Sequence, residues 1–126
     1  MVKTPEGKIK AAILKYLKLR GIYAWNNPTG AFQVRPGEWM RFGKKGSSDI
    51  LGLLPGGRFL AVECKAEYGR LSSEQREFLN DIAALGGLAV VARSFRDIDT
   101  ALREAGYSGI TDGPLFDALL AGEGND

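Results

Sequence analysis

The chain has 126 residues, 44% hydrophobic and 25% charged, an ordinary globular composition that fits one domain over residues 1–126. Its formal net charge is only +2, a weak argument for a nucleic-acid partner, and no window approaches the roughly 18 consecutive apolar residues of a membrane span. Histidine is absent and Cys64 is the one cysteine, which excludes His-ligated zinc, Ser-His-Asp triads, Cys-His dyads and an internal disulfide.

Thr4-Pro5-Glu6 is a helix start, with Thr at the N-cap and Pro at the first helical position. Ile9, Ala12, Ile13, Tyr16 and Leu17 follow at helical spacing, and Gly21 stops the helix. Lys8, Lys10, Lys15, Lys18 and Arg20 crowd it. They read either as a solvated face or as part of a basic half that attracts phosphate. Ile22 to Trp25 predicts a short strand. From Asn26 to Ser48, Gly, Pro, Asn and basic residues interleave with Phe32, Val34, Trp39, Met40 and Phe42. This is a long loop or an irregular hairpin, a length that usually carries function in a compact domain.

Asp49 to Leu54 predicts a strand, Pro55-Gly56-Gly57 a turn, and Arg58 to Lys65 a second strand, together a hairpin. Ser72 and Ser73 open a helix through about Leu85, with Gln75 as capping-box partner of Ser72. Leu88 to Arg93 is an apolar strand, Asp97 to Ala105 a helix, and Pro114 to Leu120 a last short helix. The order α-β-β-β-α-β, with helices after it, describes an α/β fold with a mixed central sheet.

Two acids and a lysine, Asp49, Glu63 and Lys65, sit at one end of the most apolar hairpin. Residues two apart on a strand share a face, so Glu63 and Lys65 point one way, and Leu60, Val62 and Cys64 point the other, toward the core. Cys64 is read as a buried small hydrophobe. Asp49 lies at the open end of the hairpin, where Glu63 and Lys65 also lie. An Asp, a Glu and a Lys meeting there suit a hard cation such as Mg²⁺, which takes one or two carboxylates, waters and a substrate phosphate. The competing reading makes Glu63 and Lys65 edge-strand charges, solvated or paired with each other.

At these residues the sequence resembles the PD-(D/E)xK nuclease superfamily, and within it the virus-type replication-repair nuclease (VRR-Nuc) domain. The matching run is Gly46-Ser47-Ser48-Asp49-Ile50, then Glu63-Cys64-Lys65, then Gly69, then Leu71-Ser72-Ser73-Glu74-Gln75-Arg76-Glu77-Phe78. Ser48 stands where the superfamily pattern has Pro. The resemblance implies a restriction-endonuclease-like core with a C-terminal helical extension and a Mg²⁺- or Mn²⁺-dependent DNA endonuclease. It implies Asp49, Glu63 and the Cys64 backbone carbonyl as metal ligands, and Lys65 acting on the water or the developing charge. Gln75 would complete the site, and Glu6 would be an outer carboxylate, direct or through water. Glu6 also suits the helix dipole, and Gln75 the cap of its helix.

Arg35, Arg41, Lys44 and Lys45 are candidate phosphate contacts, as are Tyr68 and Arg70. Trp39 or Phe42 is a candidate to stack on an unpaired base, with local packing as the competing reading, and Asn26 or Asn27 a candidate to orient a phosphate. Small members of the resembled branch are similar to Holliday-junction resolvases, which implies branched DNA as partner and a homodimer, since paired cuts need two related sites. Leu115, Phe116, Leu119, Leu120 and the 32–42 segment are candidate dimer surfaces. The open alternatives are a flap or restriction-type endonuclease and a non-catalytic DNA-binding module. The single cysteine and the N-terminus without an apolar stretch lead to the expectation of a cytoplasmic protein, and the resemblance to a small stand-alone nuclease implies a bacterial or phage-infected cell.

Overall fold

The computed structural model describes residues 4–107. The expected helix at 114–120 lies outside them, as do its candidate dimer residues. In chain order the elements are α1 (Pro5–Leu19), β1 (Tyr23–Asn26), β2 (Gly30–Arg35), β3 (Glu38–Phe42), β4 (Ile50–Leu54), β5 (Arg58–Cys64), α2 (Ser73–Ala84), β6 (Leu88–Ala92) and α3 (Phe95–Glu104). The fold is α/β with a mixed sheet, as the sequence implies. Two strands, β2 and β3, stand where the sequence left a loop or an irregular hairpin. α3 begins at Phe95, earlier than Asp97, with Ser94 at its N-cap; Asp97 falls in the first turn, where its Oδ2 accepts the Arg93 N–H at 2.7 Å.

The main sheet runs β1-β4-β5-β6. β4 pairs antiparallel with β1 and β5, and β6 runs parallel to β5. A parallel pair needs a crossover, and α2 supplies it. The register places Ile50 beside Val62 and Val62 beside Val90, so alternate residues of β4 and β5 line one face. On that face Ile50, Leu54, Leu60, Val62, Cys64 and Ala92 pack with Ile13, Tyr16 and Leu17 of α1 and Phe95, Ile98 and Leu102 of α3. Burying each of the larger of these side chains stabilises the fold by about 1.5–3 kcal/mol. One polar link crosses this layer. The Tyr16 hydroxyl donates to Asp99 Oδ1 at 2.5 Å, and Asp99 Oδ2 accepts from Arg103 Nε at 3.0 Å.

The other face is covered unevenly. α2 packs on β5 and β6, so Ala61 is fully buried and Glu63 is 2% exposed. Over β1 and β4 nothing among the described residues covers Tyr23, Trp25 and Leu53, which remain exposed. Glu63 and Lys65 are therefore neither edge-strand nor solvated, since β5 has a neighbour on each side and a helix above it, but they do pair with each other.

The β2–β3 ribbon stands apart as its own two-stranded sheet, with Phe32 opposite Met40 and Gln33 opposite Trp39. Every residue from 31 to 45 is exposed. Its root, however, is fixed. The Asn27 N–H donates to the Asp49 carbonyl at 2.7 Å, and Asn27 Nδ2 donates to Ser47 Oγ and the Ser48 carbonyl, both at 2.8 Å. Gly46 adopts φ 85°, and a Cβ there would sit 2.7 Å from the Glu74 backbone. Only glycine permits so close an approach to the start of α2. Among the described residues, no helix is long and apolar enough to cross a membrane.

Candidate active site

The open end of the β4–β5 hairpin gathers the chemistry. Asp49 directly precedes β4, and its Oδ2 accepts the Cys64 N–H of β5 at 2.8 Å. One carboxylate oxygen is thus held by the neighbouring strand. Glu63 lies within β5, on the face that α2 covers. Lys65 directly follows β5, its N–H donating to the Ala92 carbonyl at 3.0 Å and extending the parallel ladder. Its Nζ lies 3.8 Å from Glu63 Oε2, and the two side chains are 10% and 3% exposed.

Gln75 reaches this pair from the first turn of α2. Ser72 Oγ accepts the Gln75 N–H at 3.1 Å, and Gln75 Oε1 accepts the Ser72 N–H at 2.9 Å, a complete capping box. The Gln75 Nε2 remains free of the box and donates to Glu63 Oε2 at 3.1 Å. One amide therefore both caps α2 and holds the carboxylate. The two readings of Gln75 are compatible in one geometry.

Glu63 is electrostatically strained. Burial first, then the adjacent Asp49 carboxylate, push its carboxyl from 4.5 up to about 8; Lys65 opposes this and Glu6 adds to it. Its Oε1 is buried with no hydrogen-bond partner among the described residues, as is Ser48 Oγ. Two adjacent carboxylates with an unpartnered buried oxygen call for a proton or a cation between them. Among the described residues no group of three or more Asp, Glu, Cys or His side chains is gathered closely enough to hold an ion. The candidate donor set is Asp49 and Glu63, with backbone carbonyls available; Glu6 is exposed and lines the same cavity as Asp49. Its Oε2 faces Gly69, where a Cβ would lie 3.3 Å from both that oxygen and Lys65 Cδ.

Cys64 does no chemistry through sulfur. Burial, then the charges of Asp49 and Glu63, push its thiol up to about 12, so it stays protonated.

The candidate DNA contacts divide by position. Trp39 and Arg41 lie on one face of the ribbon, and Phe32, Met40 and Phe42 on the other, by the register. The Phe32 and Phe42 rings pack at 6.3 Å, whereas Trp39 is 64% exposed, so local packing accounts for Phe42 and not for Trp39. Arg35 Nε pairs with Glu38 at 3.1 Å, and Lys45 Nζ lies 4.0 Å from Glu74 Oε2. Lys44, Tyr68 and Arg70 are exposed. Asn27 is committed to the ribbon root, and the phosphate reading for it gives way to that structural one.

At this end Arg93 escaped sequence reasoning, and Lys10 was marked only as one of five basic residues crowding the first helix. Arg93, after β6, donates from Nη1 to the Ala66 carbonyl and, at 3.3 Å, to the Glu67 carbonyl, and from Nη2 to the Gly69 carbonyl at 3.0 Å. It clamps the loop that leaves Lys65. Lys10, on α1, lines a cavity of about 190 Å³ with Thr4, Glu6, Gly7, Asp49 and Cys64. The available signal for Lys10 was its place on the helical stripe Glu6, Lys10, Ile13, Leu17; Arg93 had no local signal.

A search of curated proteins finds no match to the chain. The family model described as VRR-NUC domain matches residues 5–96, from the first residue of α1 into the start of α3. That span holds Glu6, Asp49, Glu63, Lys65 and Gln75, and the chain belongs to the VRR-NUC domain family, a nuclease family.

Proposed function

We propose that this protein is a divalent-metal-dependent endonuclease that hydrolyses phosphodiester bonds in branched DNA as a homodimer, in the manner of a Holliday-junction resolvase. The observation that carries the catalytic part is the buried Glu63, held at Oε2 by Gln75 and Lys65 and unpartnered at Oε1. The donor set fits Mg²⁺ or Mn²⁺: Asp49 and Glu63 supply two carboxylates and Cys64 a backbone carbonyl, all hard oxygen donors. Glu6 would act at the rim, through water. When bound, such an ion supplies an activated water and neutralises charge on the phosphoryl oxygens.

The remaining work falls to the chain's own residues. The Cys64 N–H fixes the Asp49 carboxylate, and Gln75 fixes Glu63, so neither needs to reorganise when substrate arrives. The Lys65 ammonium orients the attacking water or stabilises the charge that develops on the phosphoryl oxygens. The water oxygen forms a bond to phosphorus as one ester P–O bond breaks. The water's proton is lost to solvent and the departing alkoxide gains one, leaving a phosphate end and a hydroxyl end.

Substrate handling is assigned to the exposed ribbon, with Trp39 stacking on an unpaired base and Arg41, Lys44 and Lys45 on phosphates; Arg35, Tyr68 and Arg70 are further phosphate candidates. Exposed Tyr23, Trp25 and Leu53 add an apolar sheet face to the surfaces available for pairing two copies. End-labelled four-way junctions, flaps, splayed arms and duplexes incubated with Mg²⁺ or Mn²⁺ test the reading. Paired symmetric nicks in the junction by a sedimenting dimer support it in full. Cutting of flaps alone by a monomer overturns the resolvase and dimer parts and leaves the nuclease.

A further inference from the structure

The site as described has a charge problem. Glu6, Asp49 and Glu63 face one end of the sheet, and Lys65 is already engaged with Glu63. A phosphodiester carries negative charge into this negative field, and like charges repel it. A bound divalent ion would offset the field at the carboxylates, and a side-chain cation on the approach side would add attraction where the phosphate itself sits.

Lys10 is that cation. It lies one helical turn after Glu6, so both side chains occupy one face of α1. That face meets the β4–β5 end, and the cavity between them is lined by Thr4, Glu6, Gly7, Lys10, Asp49 and Cys64. At about 190 Å³ the cavity has room for a phosphate group and attached water. The Lys10 side chain makes no hydrogen bond or ion pair among the described residues, even with acids lining the same cavity. The positive end of the α1 dipole, at Thr4 to Gly7, adds to its charge. The neighbouring Lys15 and Lys18 are exposed on other parts of the helix.

We infer that Lys10 is a substrate-contacting residue of this site, whose ammonium holds a non-bridging oxygen of the scissile phosphate from the α1 side, opposite Lys65. The inference rests on the nuclease reading and deepens it. The two lysines then divide the work. Lys65, buried, acts on the water or the charge deep in the site, while Lys10 receives the phosphate. Because a bound phosphate gains charge density in the transition state, the contact strengthens as the reaction proceeds.

The test compares wild type, Lys10→Met, Lys10→Arg and Lys15→Met in single-turnover cleavage of a labelled DNA at saturating Mg²⁺. Methionine keeps the apolar stem of the lysine and removes its charge. Lys10→Met is expected to cut about 10²-fold more slowly, the usual cost of one positioned donor, with Lys10→Arg recovering most of the rate and Lys15→Met unchanged. Thermal unfolding is followed in parallel as Mg²⁺ is added. Lys10→Met should unfold at the wild-type temperature and should bind Mg²⁺ no more weakly, since it loses a cation near the carboxylates. Wild-type cutting by Lys10→Met, or a loss of rate that tracks weakened Mg²⁺ binding, overturns the inference and leaves the nuclease reading intact. Failure of the wild type to cut any DNA overturns both.

Discussion

Gln75 Nε2 donates to Glu63 Oε2 at 3.1 Å while the Oε1 of the same amide accepts the Ser72 N–H at 2.9 Å. The start of α2 and the buried carboxylate are thus joined through one side chain. Two substitutions separate its roles. Ser72→Ala removes the hydroxyl that caps the Gln75 N–H, costs about 1 kcal/mol of stability, and leaves cutting near wild type. Gln75→Ala loses the partner of Glu63 and slows cutting by about 10- to 100-fold, the usual range for a residue that orients a metal ligand. Unfolding midpoints and single-turnover rates check this together. Activity losses that merely follow stability in both variants would contradict it.

Arg93 is expected to act at a distance through the 66–69 loop. Its planar fork meets the carbonyls of Ala66, Glu67 and Gly69, a geometry lysine cannot reproduce. Arg93→Lys should therefore slow cutting by about tenfold or more, by letting the loop relax and loosening Lys65. The expected signature is a fall in kcat at nearly constant KM. A rise in KM alone would assign Arg93 to DNA binding.

Much of this arrangement is legible in sequence because it is local. The Thr4 cap, the Pro55-Gly56-Gly57 turn and the alternation through Leu60, Val62 and Cys64 each rest on neighbours in the chain, and each is present. The approach of Asp49 to Glu63 and Lys65 follows from one hairpin. Other features depend on contacts between distant segments. Both faces of β5 are buried, but only the packing of α2 shows that. The β2–β3 ribbon exposes both of its faces, so no burial period marks its strands. Arg93 meets a loop more than twenty residues earlier in the chain. Lys10 stands among several lysines, and only the docking of α1 on the sheet singles it out.

The raised Glu63 carboxyl sets a pH dependence in metal-free protein. In the folded state it titrates at about 8, against 4.5 for the ordinary group. Between those values the native state holds a proton that the unfolded state releases, so stability falls as pH rises. The contribution is fully present below 4.5 and is lost as pH passes through about 8. Denaturant midpoints of metal-free protein should decline across this window, and Glu63→Gln should flatten the decline. Saturating Mg²⁺ should flatten it as well, by replacing the proton as countercharge. A rising slope in wild type would contradict the account.

The ribbon should contribute to binding without contributing to folding. Trp39 is 64% exposed, so Trp39→Ala should leave the unfolding temperature unchanged while weakening binding to DNA with unpaired bases by about 1–3 kcal/mol. Arg41→Ala should weaken binding to all DNAs and lower the salt slope of log affinity by about 1. Fluorescence anisotropy in Ca²⁺ over a salt series separates the two effects. Equal loss on fully paired duplex and branched DNA for Trp39→Ala would remove the stacking role.

The most direct test of the central claim is cleavage of a DNA panel by wild type and Lys65→Ala, with Mg²⁺, Mn²⁺ or EDTA. The account predicts cutting with either metal, none with EDTA, and loss of cutting in a folded Lys65→Ala. Intact DNA throughout, or undiminished cutting by Lys65→Ala, would contradict it.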